Sequence, residues 1–356
     1  MRNRSFLRSL VLVGSALSLS VSVAAAAPKK DFKVGWSIYV GWMPWGYAAD
    51  SGIVKKWADK YGITIDVKQF NDYVESINQY TAGAYDAVTI TNMDALSIPA
   101  AGGVDTTAMI VGDFSNGNDA VILKDKTKLT DIKGQNVNLV EFSVSHYLLA
   151  RALESIKLAE KDVKVVNTSD ADMAAAYKTA DVTTVATWNP IVSEILNSPD
   201  AHKVFDSSQI PGEIVDLMVV NTEVVKENPA FGKALVGIWY ETLTKMLADN
   251  ADGKAAKEAM AKASGTDLAG FNAQLAATRL FATPKEAAAF AESNDIATTM
   301  DRVRNFLFAK SLLGKDAKSA DAVGIELADK KVLGDAKNVK LRFDPSFMSL
   351  AAQGKL

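Results

Sequence analysis

From Asp31 onward, short runs of β-branched and apolar residues take turns with segments of helical period. Phe32–Ile38, Thr64–Lys68, Ala87–Thr91 and Thr106–Val111 read as strands, with helices predicted over Gly46–Tyr61, Val74–Ala82 and Asp94–Ala101. A second run repeats the theme. Strands are predicted at Ala120–Leu123, Val137–Val140, Val163–Val166, Thr183–Thr187 and Val215–Val220, with helices from Ser145 to Ile156 and from Asp172. Alternating strands and helices imply parallel β-α units with ligands at the carboxyl ends of the strands. After Thr222 the pattern turns helical, rich in Ala from Pro229 to Leu313, and from Lys318 only turn residues and short apolar runs remain. The two α/β runs have no Gly/Ser-rich linker between them, which predicts two lobes with a ligand cleft. C-terminal helices returning to the first lobe would give two hinge crossings, expected near Asp113–Asn118 and Asn221–Glu227. The expected division is lobe 1 over 28–115 and 222–317, lobe 2 over 116–221, and a tail over 318–356.

The first 27 residues break this pattern. Arg2, Arg4 and Arg8 precede the apolar stretch Leu10 to Val23, and Ala24–Ala27 supplies small residues before Pro28. That order predicts a secretory signal peptide cleaved near Ala26/Ala27, and hence a protein of the periplasm. No other stretch approaches the ~20 apolar residues that a membrane span requires. With 356 residues, the chain is long enough for two cores. Zero cysteine excludes disulfide scaffolds, thiolate zinc sites and thiol nucleophiles, and two histidines leave little room for a multi-His metal site. A net charge of −3 argues against nucleic acid as a partner. The motifs G-x-S-x-G, H-E-x-x-H, the P-loop and G-x-G-x-x-G are missing from the sequence. The expectation is a binding protein without cofactor or metal, not an enzyme.

Two clusters carry candidate chemistry. Trp36, Tyr39, Trp42, Trp45 and Tyr47 gather where the first strand meets its helix. Alternation puts Trp36 in the core, whereas Tyr39 and Trp42 fall in the strand-to-helix loop, where they either stack on a flat or cationic ligand or pack the loop. The second cluster is acidic. Asp94 follows a strand, Glu141 ends one just before Ser143, Ser145 and His146 enter a helix, and Asp216 lies inside an apolar strand. A serine-bearing helix start favours an anion, but a carboxylate beside it attracts a cation. Glu141 serves equally well as a partner of the helix dipole. An internal echo aligns Gly83–Asn92 with Ala180–Asn189, so Asn92 and Asn189 each stand where a strand gives way to a helix, either capping it or touching ligand.

The order Trp42-Met43-Pro44, Ala48-Ala49-Asp50-Ser51-Gly52-Ile53, Gly83-Ala84-Tyr85-Asp86-Ala87, Leu129-Thr130-Asp131-Ile132-Lys133-Gly134 and Trp188-Asn189-Pro190 resembles a known group. It is similar to the nitrate/sulfonate/taurine group of ABC-transporter periplasmic binding proteins, related to the thiamine-precursor binders, over about residues 31–225. More narrowly it resembles the urea-type branch associated with urea carboxylase. The resemblance implies an α/β, type II periplasmic binding-protein fold: two lobes, a two-strand hinge and closure over a small-molecule ligand. It also implies a monomer that serves an inner-membrane ABC permease. Two departures stand out. Group members commonly carry Gly-Ser where this chain has Glu141-Phe142-Ser143-Val144-Ser145-His146, and the second Gly-x-x-Asp-Ala pattern reads Ala180-Asp181-Val182-Thr183-Thr184. The first departure turns the expectation from an anion toward guanidine or a urea-like compound. The alternatives are an anion such as a sulfonate or nitrate, and an exported relative of the pyrimidine synthases, whose cysteine cluster is missing here. On the leading expectation Tyr39 and Trp42 stack, Glu141 and Asp94 accept hydrogen bonds, and Asn92, Ser143, His146 and Asn189 orient the ligand. Trp188 covers the cleft, and Asp216 adds a third acid.

Overall fold

A computed structural model describes residues 29–356. The expected signal peptide and its cleavage point near Ala26/Ala27 lie outside the described residues.

The strands in chain order are β1 (Asp31–Ser37), β2 (Thr64–Phe70), β3 (Ala87–Thr91), β4 (Thr106–Ser115), β5 (Asp119–Lys124), β6 (Asn136–Leu139) and β7 (Lys164–Asn167). They continue as β8 (Thr184–Trp188), β9 (Ala201–Asp206), β10 (Val215–Asn221), β11 (Thr278–Leu280), β12 (Gly324–Glu326), β13 (Val332–Leu333) and β14 (Val339–Phe343). One sheet has the order β13-β12-β14-β4-β10-β3-β1-β2, with β11 also on β4; the other has the order β7-β6-β8-β5-β9. Each sheet is mixed. β1 runs parallel to β2 and β3, and β6 runs parallel to β7 and β8, as β-α units require. The strands that carry the chain between lobes run the other way: β10 is antiparallel to β3 and β4, and β5 to β8 and β9.

Helix Pro229–Leu247 covers the first sheet with Phe231, Leu235, Ile238, Leu243 and Met246, all fully buried. Phe231 stacks on Phe32 of β1, with the rings nearly parallel and their centroids 4.2 Å apart. Gly237 of that helix lets the Trp57 ring lie directly on the backbone, where a Cβ would sit 2.4 Å from the indole. Helix Pro229–Leu247, which follows β10 in the chain, thus packs against the first sheet. The helix expected over Gly46–Tyr61 is two helices, Met43–Asp50 and Ile53–Tyr61. Gly52 between them has φ +79°, a left-handed conformation that glycine adopts without strain and that ends the first helix.

Two expectations need correction. Val215–Asn221 does not join the second sheet; it is the central antiparallel strand of the first. An apolar run has the same appearance in either sheet, because only its pairing partners differ. The chain's second passage between sheets accordingly falls at 207–214, not at Asn221–Glu227, where helix Thr222–Glu227 follows β10. The first passage lies between the end of β4 at Ser115 and the start of β5 at Asp119. The segment from Lys318 is also no separate tail. β14 pairs with β4 and buries Leu341 and Phe343, extending the first sheet. The two passages are fastened side by side: the Ser115 and Ser207 hydroxyls lie 2.6 Å apart, and the Gly117 N–H donates to Ser207 Oγ at 2.8 Å. Among the described residues no helix is long and apolar enough to cross a membrane.

Candidate functional site

Because the two passages between the sheets lie side by side, one outward and one returning, the residues at the strand ends there converge. Asp113 near the end of β4 and Asp216 near the start of β10 are direct partners in the antiparallel register. Asp119 opens β5 a short turn further on. All three are buried, and Asp119 and Asp216 line a narrow cavity between the sheets, about 20 Å³ in volume. Tyr39, Trp42, Tyr73, Thr91 and Trp188 supply most of its other walls. Their rings brace one another: Tyr39 meets Trp42 edge to face at 5.1 Å, Trp42 tilts over Tyr73 at 5.6 Å, and Tyr73 meets Trp188 edge to face at 5.6 Å. Trp188 comes from the second sheet, yet its indole N–H reaches the Ile38 carbonyl of the first lobe at 3.4 Å. The lobes are thus in contact across the cavity.

The electrostatics are one-sided. Among the described residues no Lys or Arg is buried, and none lines the cavity. Burial drives the Asp119 carboxyl up to about 7, with the charges of Asp113 and Asp94 adding to the rise and the Ser115 hydroxyl opposing it. Burial also pushes the adjoining Asp113 and Asp216 upward as a pair, and each resists ionisation while the other is charged. The Tyr39 hydroxyl donates to Asp113 Oδ1 at 2.8 Å, while Asp113 Oδ2 has no partner. Gly41 makes that contact possible, since a Cβ there would meet Asp113 Oδ2 at 2.4 Å and the Tyr39 ring at 2.5 Å. The result is a cluster of acids held close, short of countercharge, against aromatic faces.

Of the residues singled out from sequence, Tyr39, Trp42, Trp188 and Asp216 meet at this cavity. Asp94 stands behind its wall, fully buried, with Oδ2 accepting from Tyr73 and Thr91 at 2.7 and 2.9 Å. Asn92 does not line the cavity. Its side chain bridges the second passage, donating to the Glu213 carbonyl at 3.2 Å and accepting from the Val215 N–H at 3.0 Å. Thr91, not Asn92, caps the helix that begins there. Asn189 is turned to its own helix, accepting from the Ser193 N–H and hydroxyl at 3.0 and 2.5 Å. Ser143 caps helix Val144–Ser155 through the Ser145 N–H.

Glu141 and His146 also lie off the cavity. Phe142 between them takes φ +64°, a turn that carries the Glu141 side chain to a partly exposed position where its charge acts on His146 and Lys310. His146 Nδ1 accepts from the Phe142 N–H at 3.1 Å, which leaves Nε2 to donate to Glu160 at 3.0 Å. Burial, reinforced by Lys310, lowers this imidazole to about 4. It is therefore a neutral structural group at physiological pH.

Sequence reading missed Asp113, Asp119 and Tyr73. Both acids lie just outside the predicted strands Thr106–Val111 and Ala120–Leu123, where a carboxylate reads as an ordinary turn residue, and only the longer β4 and β5 bring them into the sheets. Tyr73 opens helix Tyr73–Thr81 with the look of an ordinary core aromatic, and only the fold turns it toward the cavity.

A clasp outside the cavity links the lobes to the second passage. Glu213 accepts from Tyr147 at 2.6 Å and from Arg151 at 2.8 and 3.1 Å, both on helix Val144–Ser155, and pairs with Arg302 of helix Asn294–Ala309 at 3.3 Å. Nearby, Lys310 pairs with Glu160 and Phe306 meets Tyr147 edge to face at 5.2 Å. Replacing Glu213 with Ala strands these donors in a mostly buried place. It is expected to lower unfolding stability by roughly 2–4 kcal/mol in urea titrations, with Glu213→Gln losing clearly less.

This arrangement of two lobes with mixed sheets, joined by two passages around a cavity, is the type II periplasmic binding-protein fold. Within it, the chain belongs to the NMT1-like family, whose pattern matches residues 25–264. The structure is similar to the alkanesulfonate-binding protein of Xanthomonas axonopodis pv. citri bound to MOPS, with a TM-score of 0.66, 16% identity, and coverage of 83% of this chain and 99% of that one. It is also similar to the periplasmic nitrate-binding protein of Synechocystis PCC 6803, with a TM-score of 0.56 and 12% identity over 92% of this chain and 99% of that one. In sequence it is 23% identical to the taurine-binding periplasmic protein of Escherichia coli strain K12 over 183 residues, 50% of this chain and 56% of that one.

Proposed function

We propose that this protein is the periplasmic solute-binding component of an ABC importer, that it works as a monomer delivering ligand to an inner-membrane permease, and that its ligand is a small planar cation of the guanidinium type. The observation that carries the ligand is the meeting of Asp119 and Asp216, with Asp113 paired to Asp216 behind them, at an aromatic-walled cavity with no basic residue in its lining. Guanidinium offers N–H donors in one plane, which suits paired carboxylates, and its face suits stacking on Trp42 or Trp188. The cavity is narrow, which favours a molecule of few atoms. A neutral urea-like compound would leave the acids without countercharge and serves less well.

A second reading, an anion such as a sulfonate or nitrate, is favoured by the names of the similar proteins. It requires the anion to lie against Asp119 and Asp216, which it tolerates only while both carboxyls hold their protons. Thermal-shift assays of the processed protein with guanidine, urea, taurine, methanesulfonate and nitrate separate the readings. A ligand at ~100 times its Kd adds roughly 2.7 kcal/mol to stability, an easily read shift. Guanidine alone should produce it; a shift with methanesulfonate or nitrate and none with guanidine would establish the second reading.

A further inference from the structure

Three donors meet on one oxygen at the edge of the cavity. Asp94 Oδ2 accepts from the Tyr73 hydroxyl at 2.7 Å, the Thr91 hydroxyl at 2.9 Å and the Val144 N–H at 3.4 Å. Tyr73, Thr91 and Val144 all line the cavity, and Val144 is the first residue of the 12-residue helix Val144–Ser155. Two further atoms at this place lack partners although their side chains are fully buried: Asp94 Oδ1 and the Ser145 hydroxyl of the same first helical turn. The Val144 N–H at a helix start, with two hydroxyls converging on the same point, is what a small oxyanion seeks. Here that set of donors faces a carboxylate of the chain itself.

We propose that Asp94 is a built-in anion that sets the ligand class: its carboxylate fills the oxyanion cradle formed by Tyr73, Thr91 and the start of helix Val144–Ser155, and so bars sulfonate- or nitrate-like ligands from the cleft. The inference deepens the cation reading and rests on it for the ligand that is admitted, whereas the cradle rests on the distances alone. Asp94 is then a specificity-determining residue one layer behind the walls that meet the ligand. When ionised, its carboxylate repels an anion in the same sense as those of Asp119 and Asp216. Removing it should uncover donors suited to an anion.

The test uses Asp94→Ala and Asp94→Ser, the second keeping one oxygen in the cradle so that folding is protected. Both variants, checked by circular dichroism, are melted with sodium nitrate or sodium methanesulfonate, against sodium chloride at equal ionic strength. Each folded variant should gain at least about 3 °C with nitrate or methanesulfonate over chloride, while the wild type gains nothing. A folded Asp94→Ser that shows no such gain, or a wild type that gains as much, overturns the proposal. Guanidinium is titrated into the wild type in parallel. If it fails to bind while the variants gain the anion response, the cation reading falls and the cradle stands; if it binds and the variants gain nothing, the cradle falls alone.

Discussion

Asp216→Asn is expected to weaken guanidinium binding at least about 30-fold while making the empty protein more stable at pH 8. The loss follows from removing one charge partner of a buried cation, which typically costs 2 kcal/mol or more. The gain follows from the same residue's position in the free protein, where burial and the charges of Asp113 and Asp119 oppose its ionisation. An amide of the same shape ends that opposition and donates a hydrogen bond to Asp113 in its place. Calorimetric titration reads the affinity and urea unfolding reads the stability. The two quantities should move in opposite directions, the mark of a binding residue held at the expense of the fold. A purely structural Asp216 would lose stability and leave affinity nearly unchanged.

Affinity for guanidinium should also rise steeply with pH. The Asp119 carboxyl is raised to about 7, so at pH 5.5 it holds a proton that the cation must expel. For one such proton, affinity should improve roughly 30-fold between pH 5.5 and pH 8, and more if the Asp113–Asp216 pair also gives one up. An anion bound at the same place would show the reverse slope. The sign for stability is opposite to that for binding. These acids titrate higher in the folded chain than in the unfolded one, so the folded form holds their protons where the unfolded form has released them. Their contribution is most favourable below the unfolded carboxylate range near pH 4 and is lost as pH rises through about 7. His146 works against this trend below its ordinary pKa, because its buried imidazole is lowered to about 4 and disfavours the proton that the unfolded chain accepts. Measurements between pH 6.5 and 8 therefore isolate the acid cluster.

What could be read in advance divides along physical lines. β1, β3 and β6 are runs whose local composition suffices, and their helices follow from period and caps. Val215–Asn221 was legible as a strand but not as a member of the first sheet, because membership depends on β3 and β4, far away in sequence. β12 and β13, of three and two residues, are too short for any periodicity to mark. At the site, Tyr39 and Trp42 stood out because large aromatics just past a strand end lie where clefts form. Asp216 stood out because a carboxylate in an apolar strand needs a reason. Asp113 and Asp119 fall outside the predicted strands, and only the meeting of the two passages brings them to Asp216. Glu141 drew attention through its neighbours Ser143 and His146, and the left-handed turn at Phe142 takes it elsewhere.

The most direct test of a cation-binding cleft is isothermal titration of the wild-type protein at pH 8 with guanidinium chloride and, in a separate cell, with sodium methanesulfonate. Saturable heat at one guanidinium per chain, with no heat beyond dilution from methanesulfonate, is the predicted result. Saturable binding of methanesulfonate with none of guanidinium would contradict it, and would mean that the buried acids serve the fold and not the ligand.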